Sequence, residues 1–263
     1  MSAPPPGKHR IPLSVLGYTI HRYARLASTN EAAKQIAKQG GKERTVIIAE
    51  TQTRGKGRLG RQWVSPKGGI WLSILLRPEI DAKATARLTF VAATAVASTI
   101  HDTLGLEPEI KWPNDILIRR RKVCGILTET AARGDTIDFA ILGVGINANT
   151  DLGAFPEGLQ SAVTSLQNEL GHSVDREALL QDFLRNFEQR YRCLLQRSWS
   201  PLLQEWKSFA KFLGERVAID SIGEVFEGEA VDVDDAGALI VRLDNGALRK
   251  VVAGDVRLKI PDD

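Results

Sequence analysis

Cysteine is nearly absent from this chain: only Cys124 and Cys193 occur, at a spacing that fits neither a disulfide framework nor a zinc site. Four scattered histidines add no metal-ligating cluster. No run approaches the length of a membrane span, and residues 11–20 are too few and too interrupted even for a signal peptide. A soluble, unexported protein of a reducing cytoplasm is therefore expected, with no membrane partner. An excess of one charge is lacking as well. Basic residues number 35 against 32 acidic ones, which argues against a general nucleic-acid binder. Internal repeats are absent, and low complexity is confined to residues 1–7, a proline-rich stretch expected to be a flexible or polyproline-like tail.

What is present is an ordinary globular composition, 43% apolar and 25% charged over 263 residues, enough for one substantial domain with a small partner. Basic character is concentrated locally. Arg54, Lys56, Arg58 and Arg61 interleave with Gly55, Gly57 and Gly60, so four cations and three glycines share eight positions. Glycine lets the backbone bend and bring its N–H groups close to a ligand, and the pattern reads as an anion-binding loop. Gly55 to Gly60 also fits G-x-G-x-x-G as text. A dinucleotide fingerprint must open a helix, however, and here a strand-like run, residues 70–76, follows. A P-loop is excluded by Arg61-Gln62, which stands where Lys-Ser or Lys-Thr is required.

Ser28-Thr29-Asn30-Glu31 reads as a capping box that starts a helix over residues 32–38, ended by Gly40-Gly41. A strand over 45–50, the loop and the 70–76 strand follow, and then a long alanine-rich buried helix over 82–104, stopped at Gly105. Short strands are predicted at 109–112, 116–118, 123–129 and 137–147. Asp175 caps a helix whose apolar positions Leu179, Leu180, Phe183, Leu184, Phe187, Tyr191 and Leu194 recur every three or four residues. Beyond Gly214 the texture changes to hairpins at 217–220, 225–233, 239–243 and 248–252, which suggests a small barrel. The expected plan is α+β, a mixed or antiparallel sheet packed with helices, followed by a small β domain. Its expected divisions are a tail over 1–15, a catalytic domain over 16–213 and a β domain over 214–263.

Four further clusters stand out: Ser28-Thr29-Asn30, Lys111-Trp112-Pro113-Asn114-Asp115, Lys122 to Leu127, and Gly143 to Asn147. Each has a bland reading on its own. Ser28 serves as an N-cap, Lys122 as a solvated surface lysine, Trp112 as core, and Gly145 as the mark of a bulge. Together with the glycine loop and Trp63, in this order, they resemble the biotin–protein ligase family. The resemblance spans residues 28–149, and a weaker likeness over 213–259 is to that family's SH3-like C-terminal domain. Only 27 residues precede Ser28, which matches the monofunctional type, without the DNA-binding domain of the family's repressors.

The resemblance implies a class II synthetase-like catalytic fold that adenylates biotin with ATP and magnesium, then passes the biotinyl group to a lysine of a biotin carboxyl carrier protein. Arg58 and Lys122 would carry the catalysis. Ser28, Thr29, Asn30, Gln52, Lys56, Gly57, Arg58, Lys122 and Gly125 would bind biotin. Arg58, Arg61, Trp63, Lys111, Asn114, Asp115, Lys122 and Asn147 would bind ATP. No side chain is assigned as a metal ligand; Asp115 is the one carboxylate considered for that role. DNA is not expected as a partner, and a homodimer through a sheet edge is compatible with the resemblance. Lys56 stands where the family more usually has arginine, keeping the charge but losing the planar fork. The glycine loop, residues 54–62, is expected to be mobile until ligand orders it. Two rival readings stay open: a lipoate ligase or octanoyltransferase, for which Cys124 near Lys122 is the attraction, and a nucleic-acid-binding module built on the basic loop.

Overall fold

The computed structural model describes residues 13–15, 17–221 and 223–258. Of the tail expected over residues 1–15, the proline-rich part lies outside the described residues, while residues 13–15 form a strand of the sheet instead. An eight-stranded sheet is built from β1 (Leu13–Val15), β2 (Tyr18–Leu26), β3 (Thr45–Gln52), β4 (Ile70–Leu76), β5 (Pro108–Lys111), β6 (Asp115–Ile118), β7 (Arg121–Arg133) and β8 (Thr136–Ile146), in the order β1-β2-β3-β4-β8-β7-β6-β5. Neighbours run antiparallel except β2 and β3, so the sheet is mixed, as expected. That parallel pair needs a crossover, supplied by α1 (Thr29–Lys38).

Strand alternation sorts side chains onto two faces. On one face Ile47, Ala49, Leu75 and Ile141 pack against Ala33 and Ala37 of α1. The other face, with Val46, Ile48, Leu72, Ile74, Leu142 and Val144, packs into the main core with α2 (Ala86–Leu104). Residues 90–100 of α2 are buried without a break, so this helix is apolar all round, as its alanine-rich sequence predicts. Two short helices, α3 (Glu157–Gln160) and α4 (Leu166–Leu170), precede α5 (Arg176–Leu195) and α6 (Trp199–Phe209). Asp175 caps α5 by accepting from the amides of Glu177 and Ala178, as its sequence predicts. Against α2, α6 sets Trp206 and Trp199, whose rings lie 4.6 and 6.0 Å from that of Phe90. No described helix is long and apolar enough to cross a membrane, which leaves open crossing by strands.

A second sheet joins β9 (Arg216–Ser221), β10 (Glu224–Val233), β11 (Leu239–Arg242), β12 (Leu248–Val251) and β13 (Asp255–Leu258), all antiparallel, in the order β12-β11-β10-β9-β13. Its end strands β12 and β13 do not pair with each other. The hairpins therefore form an open sheet rather than a closed barrel, and β13 adds a strand that the hairpin pattern had not foreseen. This sheet docks beside β5 and β6: Trp112, fully buried, donates its Nε1–H to the carbonyl of Gly237 at 2.9 Å.

Candidate active site

The strand register builds the floor of a cavity of about 260 Å³. Trp71 of β4 sits opposite Gly145 of β8, which sits opposite Gly125 of β7; Ser73, Gly143 and Leu127 form the next row. Both rows belong to the face that carries α1. The glycines leave room above the sheet for side chains from elsewhere. A Cβ on Gly125 would lie 2.8 Å from Trp63, one on Gly145 would collide with the Trp63 indole nitrogen, and one on Gly143 would collide with Asn30.

One end of the cavity is a neutral hydrogen-bonding cluster. Gln52 Oε1 accepts from the Thr29 amide at 2.7 Å and from the Thr29 hydroxyl at 3.1 Å, while its Nε2 donates to Ser65 at 2.8 Å. Ser73 Oγ, fully buried, lies 2.8 Å from Thr29 Oγ1 and 2.6 Å from Asn30 Oδ1. The Asn30 amide nitrogen donates to Glu129, which Lys34 also holds. Here the capping box read from the sequence is not formed. Ser28 stands at the N-cap position but makes no cap bond with its side chain, and Glu31 turns instead to Lys56 and Lys34. The first helical amide is satisfied by Gln52, and Ser28 faces the cavity with Thr29 and Asn30.

The other end is cationic. The glycine loop folds back on itself, Gly57 N–H donating to Arg61 O at 2.8 Å and Trp63 N–H to Gly55 O at 2.9 Å. Arg58 donates to Asn114 Oδ1 and to Asp255 Oδ1, each at 3.1 Å, and Arg61 pairs with the same Asp255 carboxylate. Lys122 Nζ lies 2.6 Å from Asp115 Oδ1 and 5.0 Å from the centre of the Trp63 ring. Burial of Asp115 pushes its carboxyl pKa up, but Lys122 and then Lys111 outweigh burial and hold it below the usual carboxylate range. Two buried polar atoms on the cavity wall have no partner among the described residues: the Trp63 Nε1–H donor and the Asn147 Oδ1 acceptor. Such atoms in a cavity are the positions a polar ligand satisfies.

All but one of the site residues expected from sequence line this cavity: Ser28, Thr29, Asn30, Gln52, Lys56, Gly57, Arg58, Arg61, Trp63, Asn114, Asp115, Lys122, Gly125 and Asn147. Lys111 does not line it. Its ammonium sits 3.3 Å from Asp115 Oδ2, on the second oxygen of the carboxylate that Lys122 engages. Sequence reasoning missed Asp255 and the apolar wall of Phe155, Leu159 and Val163, and also Ser73, which does not line the cavity but holds Thr29 and Asn30 from behind. The wall comes from a segment that reads as a polar loop, and Asp255 comes from the second sheet. The cavity's carboxylates, Asp115 and Asp255, are each held between two cations, so neither fits as a dedicated magnesium ligand. Cys124 is fully buried, and burial pushes its thiol pKa far above the ordinary range, the opposite of what an acyl-accepting thiolate needs.

Comparison with known proteins shows the family and the fold. A model of the biotin/lipoate A/B protein ligase family matches residues 23–147, and one of the biotin protein ligase C terminal domain matches residues 212–259. The bifunctional ligase/repressor BirA of Bacillus subtilis is 37% identical over 245 residues, covering 93% of this chain and 75% of that protein. A biotin–[acetyl-CoA-carboxylase] ligase of Paracoccus denitrificans is 38% identical over 233 residues, covering 83% of this chain and 92% of that one. The structure of biotin protein ligase from Aquifex aeolicus in complex with biotin and ATP superposes with a TM-score of 0.79 at 26% identity, covering 91% of this chain and 98% of that chain.

Proposed function

The chain belongs to the biotin/lipoate A/B protein ligase family, and we propose that its own reaction is the ATP-dependent attachment of biotin to a carrier-protein lysine, in the cytoplasm. In the first step a biotin carboxylate oxygen bonds to the α-phosphorus of ATP as the bond from that phosphorus to pyrophosphate breaks, leaving biotinyl-5'-AMP. In the second, the neutral amine of the carrier lysine attacks the acyl carbon, AMP leaves with the bonding electrons, and the nitrogen gives up a proton to form the amide. The carrier is the biotin carboxyl carrier protein of a biotin-dependent carboxylase, the acceptor class that the relatives' names imply.

The observation that carries this reading is the polarity of the cavity: Arg58, Arg61 and Lys122 at one end, and a neutral donor-acceptor cluster at the other. A carboxylate approaching a triphosphate is repelled, and charge grows on the leaving oxygen, so fixed cations lower the barrier of the first step. The neutral cluster of Thr29, Asn30 and Gln52 suits a ureido ring, because a ligand without matching donors and acceptors would leave buried polar groups unpaired. Asn114, Asn147 and Trp63 belong to the nucleotide end, where the Asn147 acceptor and the indole donor would be satisfied. Magnesium would enter as the counter-ion of the triphosphate, a role that suits an ion which keeps much of its water. The mixed anhydride must be shielded from water, which the glycine loop and the Phe155–Leu159–Val163 wall would do by closing over it.

The test is exchange of labelled pyrophosphate into ATP with biotin, lipoate or octanoate as the acid. Exchange with biotin alone is expected, and exchange with lipoate alone would overturn the substrate assignment.

A further inference from the structure

Arg58 and Arg61 lie three residues apart on a loop punctuated by Gly55, Gly57 and Gly60, and two guanidinium groups so close repel each other. A glycine-rich backbone offers little resistance to their splaying. The loop's own backbone hydrogen bonds hold its main chain, and the restraint on the two guanidinium groups comes from the second sheet. Asp255 Oδ1 accepts from Arg58 Nη1 at 3.1 Å, Asp255 Oδ2 pairs with Arg61, and the carbonyl of the preceding Gly254 accepts from Arg58 Nη2 at 3.1 Å. Asp255 is held in register opposite Asp220 of β9, and Gly254 approaches that strand so closely that a Cβ there would lie 2.6 Å from Asp220 O. The same Arg58 Nη1 also donates to Asn114, in the turn that carries Trp112, the residue bonded to Gly237 of the second sheet.

We propose that Asp255 is a positioning residue for adenylation: the C-terminal sheet supplies a carboxylate that bridges Arg58 and Arg61 and holds both at the nucleotide end of the cavity. This rests on the function proposed above. The bridge leaves Arg58 with donors to spare, since Nη1 gives one proton to Asn114 and one to Asp255, Nη2 gives one to Gly254, and the Nε–H and a second Nη2–H remain for a phosphate oxygen. The second sheet thus acts on the nucleotide end of the cavity through the Asp255 carboxylate, assisted by the Gly254 carbonyl.

The test compares Asp255→Asn, which keeps an oxygen for Arg58 but removes the charge that holds Arg61, with Asp255→Ala and Asp255→Glu. In biotin-dependent pyrophosphate exchange the maximal rate is expected to fall at least tenfold in Asp255→Ala and less in Asp255→Asn. Asp255→Glu should recover part of it, and the KM for biotin should be unchanged throughout. A lower KM for ATP with an unaltered rate would mean that the carboxylate merely competes with phosphate, and would overturn the proposal. So would a rate loss matched by a rise in the biotin KM and a fall in melting temperature. Trypsin gives a second reading that does not depend on the reaction: without ligands, Asp255→Ala should be cut faster than wild type after Arg58 and Arg61. Equal cleavage would overturn the positioning role. Failure of wild type to exchange with biotin would instead overturn the proposed function, while the cleavage comparison stood.

Discussion

Gly143 and Gly145 are two residues apart on the same face of β8, yet each makes room for a different end of the cavity. Gly143→Ala drives a methyl against Asn30, and Gly145→Ala drives one against the Trp63 indole. The first is expected to raise the KM for biotin about tenfold with little effect on ATP, and the second to do the reverse, which steady-state kinetics with each substrate varied will resolve. Arg58→Ala should lose roughly 3–4 kcal/mol of barrier lowering, comparable to removal of an oxyanion donor. Lys56→Ala should cost under about 1 kcal/mol, since Lys56 makes an exposed ion pair with Glu31. Asp115 is held below the ordinary aspartate range, so its contribution to stability is present above that range and is lost as pH falls through its depressed folded-state value. Asp115→Asn should therefore destabilise the protein at pH 7 by roughly 1–3 kcal/mol, less than for a fully buried pair because Lys111 and Lys122 are partly exposed. The gap from wild type in urea unfolding should narrow below about pH 4, near the unperturbed aspartate value; a gap independent of pH would contradict the pairing.

Elements with strong periodicity were legible in the sequence. The amphipathic α5 stands where its apolar spacing and cap put it, and the strand after the glycine loop excluded a Rossmann helix correctly. The buried helix α2 ends at Gly105 as expected but begins at Ala86 rather than at residue 82, after a separate 3-10 turn at Ala82–Ala84. What escaped has identifiable physical causes. In α6, Trp199, Leu202, Leu203 and Trp206 have helical spacing, but Pro201 reads as a breaker unless it is seen to fall in the first turn, where a missing N–H costs little. Strand β2 carries Arg22 and Arg25 among its apolar residues, and β13 spans only four residues, too few for alternation to declare itself. The site was legible as five clusters because glycine and charge concentrate there. Ser73 and Asp255 stayed hidden because an isolated polar residue in a strand carries no pattern, and only the register sets Ser73 behind Thr29 and Asn30 and Asp255 at the cavity. The glycine loop is predicted to be protected from trypsin by biotin plus ATP; cleavage at the same rate with and without them would contradict its role as a cover.

At the scale of the whole molecule, the second sheet is tied to the rest of the chain by Trp112 at Gly237, by Lys207 of α6 with Asp232, and by Arg58 of the glycine loop with Asp255. Trp112→Phe removes one buried donor and leaves the Gly237 carbonyl without its partner, for an expected cost of about 1–3 kcal/mol, read from the urea midpoint. If the sheets were independent, that variant would leave adenylation kinetics untouched; the shared contacts predict a reduced rate together with the lower midpoint. The account stands or falls on the cavity being an adenylation site for biotin. The most direct measurement is biotin-dependent exchange of labelled pyrophosphate into ATP, in wild type and in folded Arg58→Ala and Lys122→Ala variants. The account predicts exchange with biotin but not with lipoate or octanoate, falling at least a hundredfold in both variants; exchange that survives loss of either cation, or that biotin fails to elicit, would contradict it.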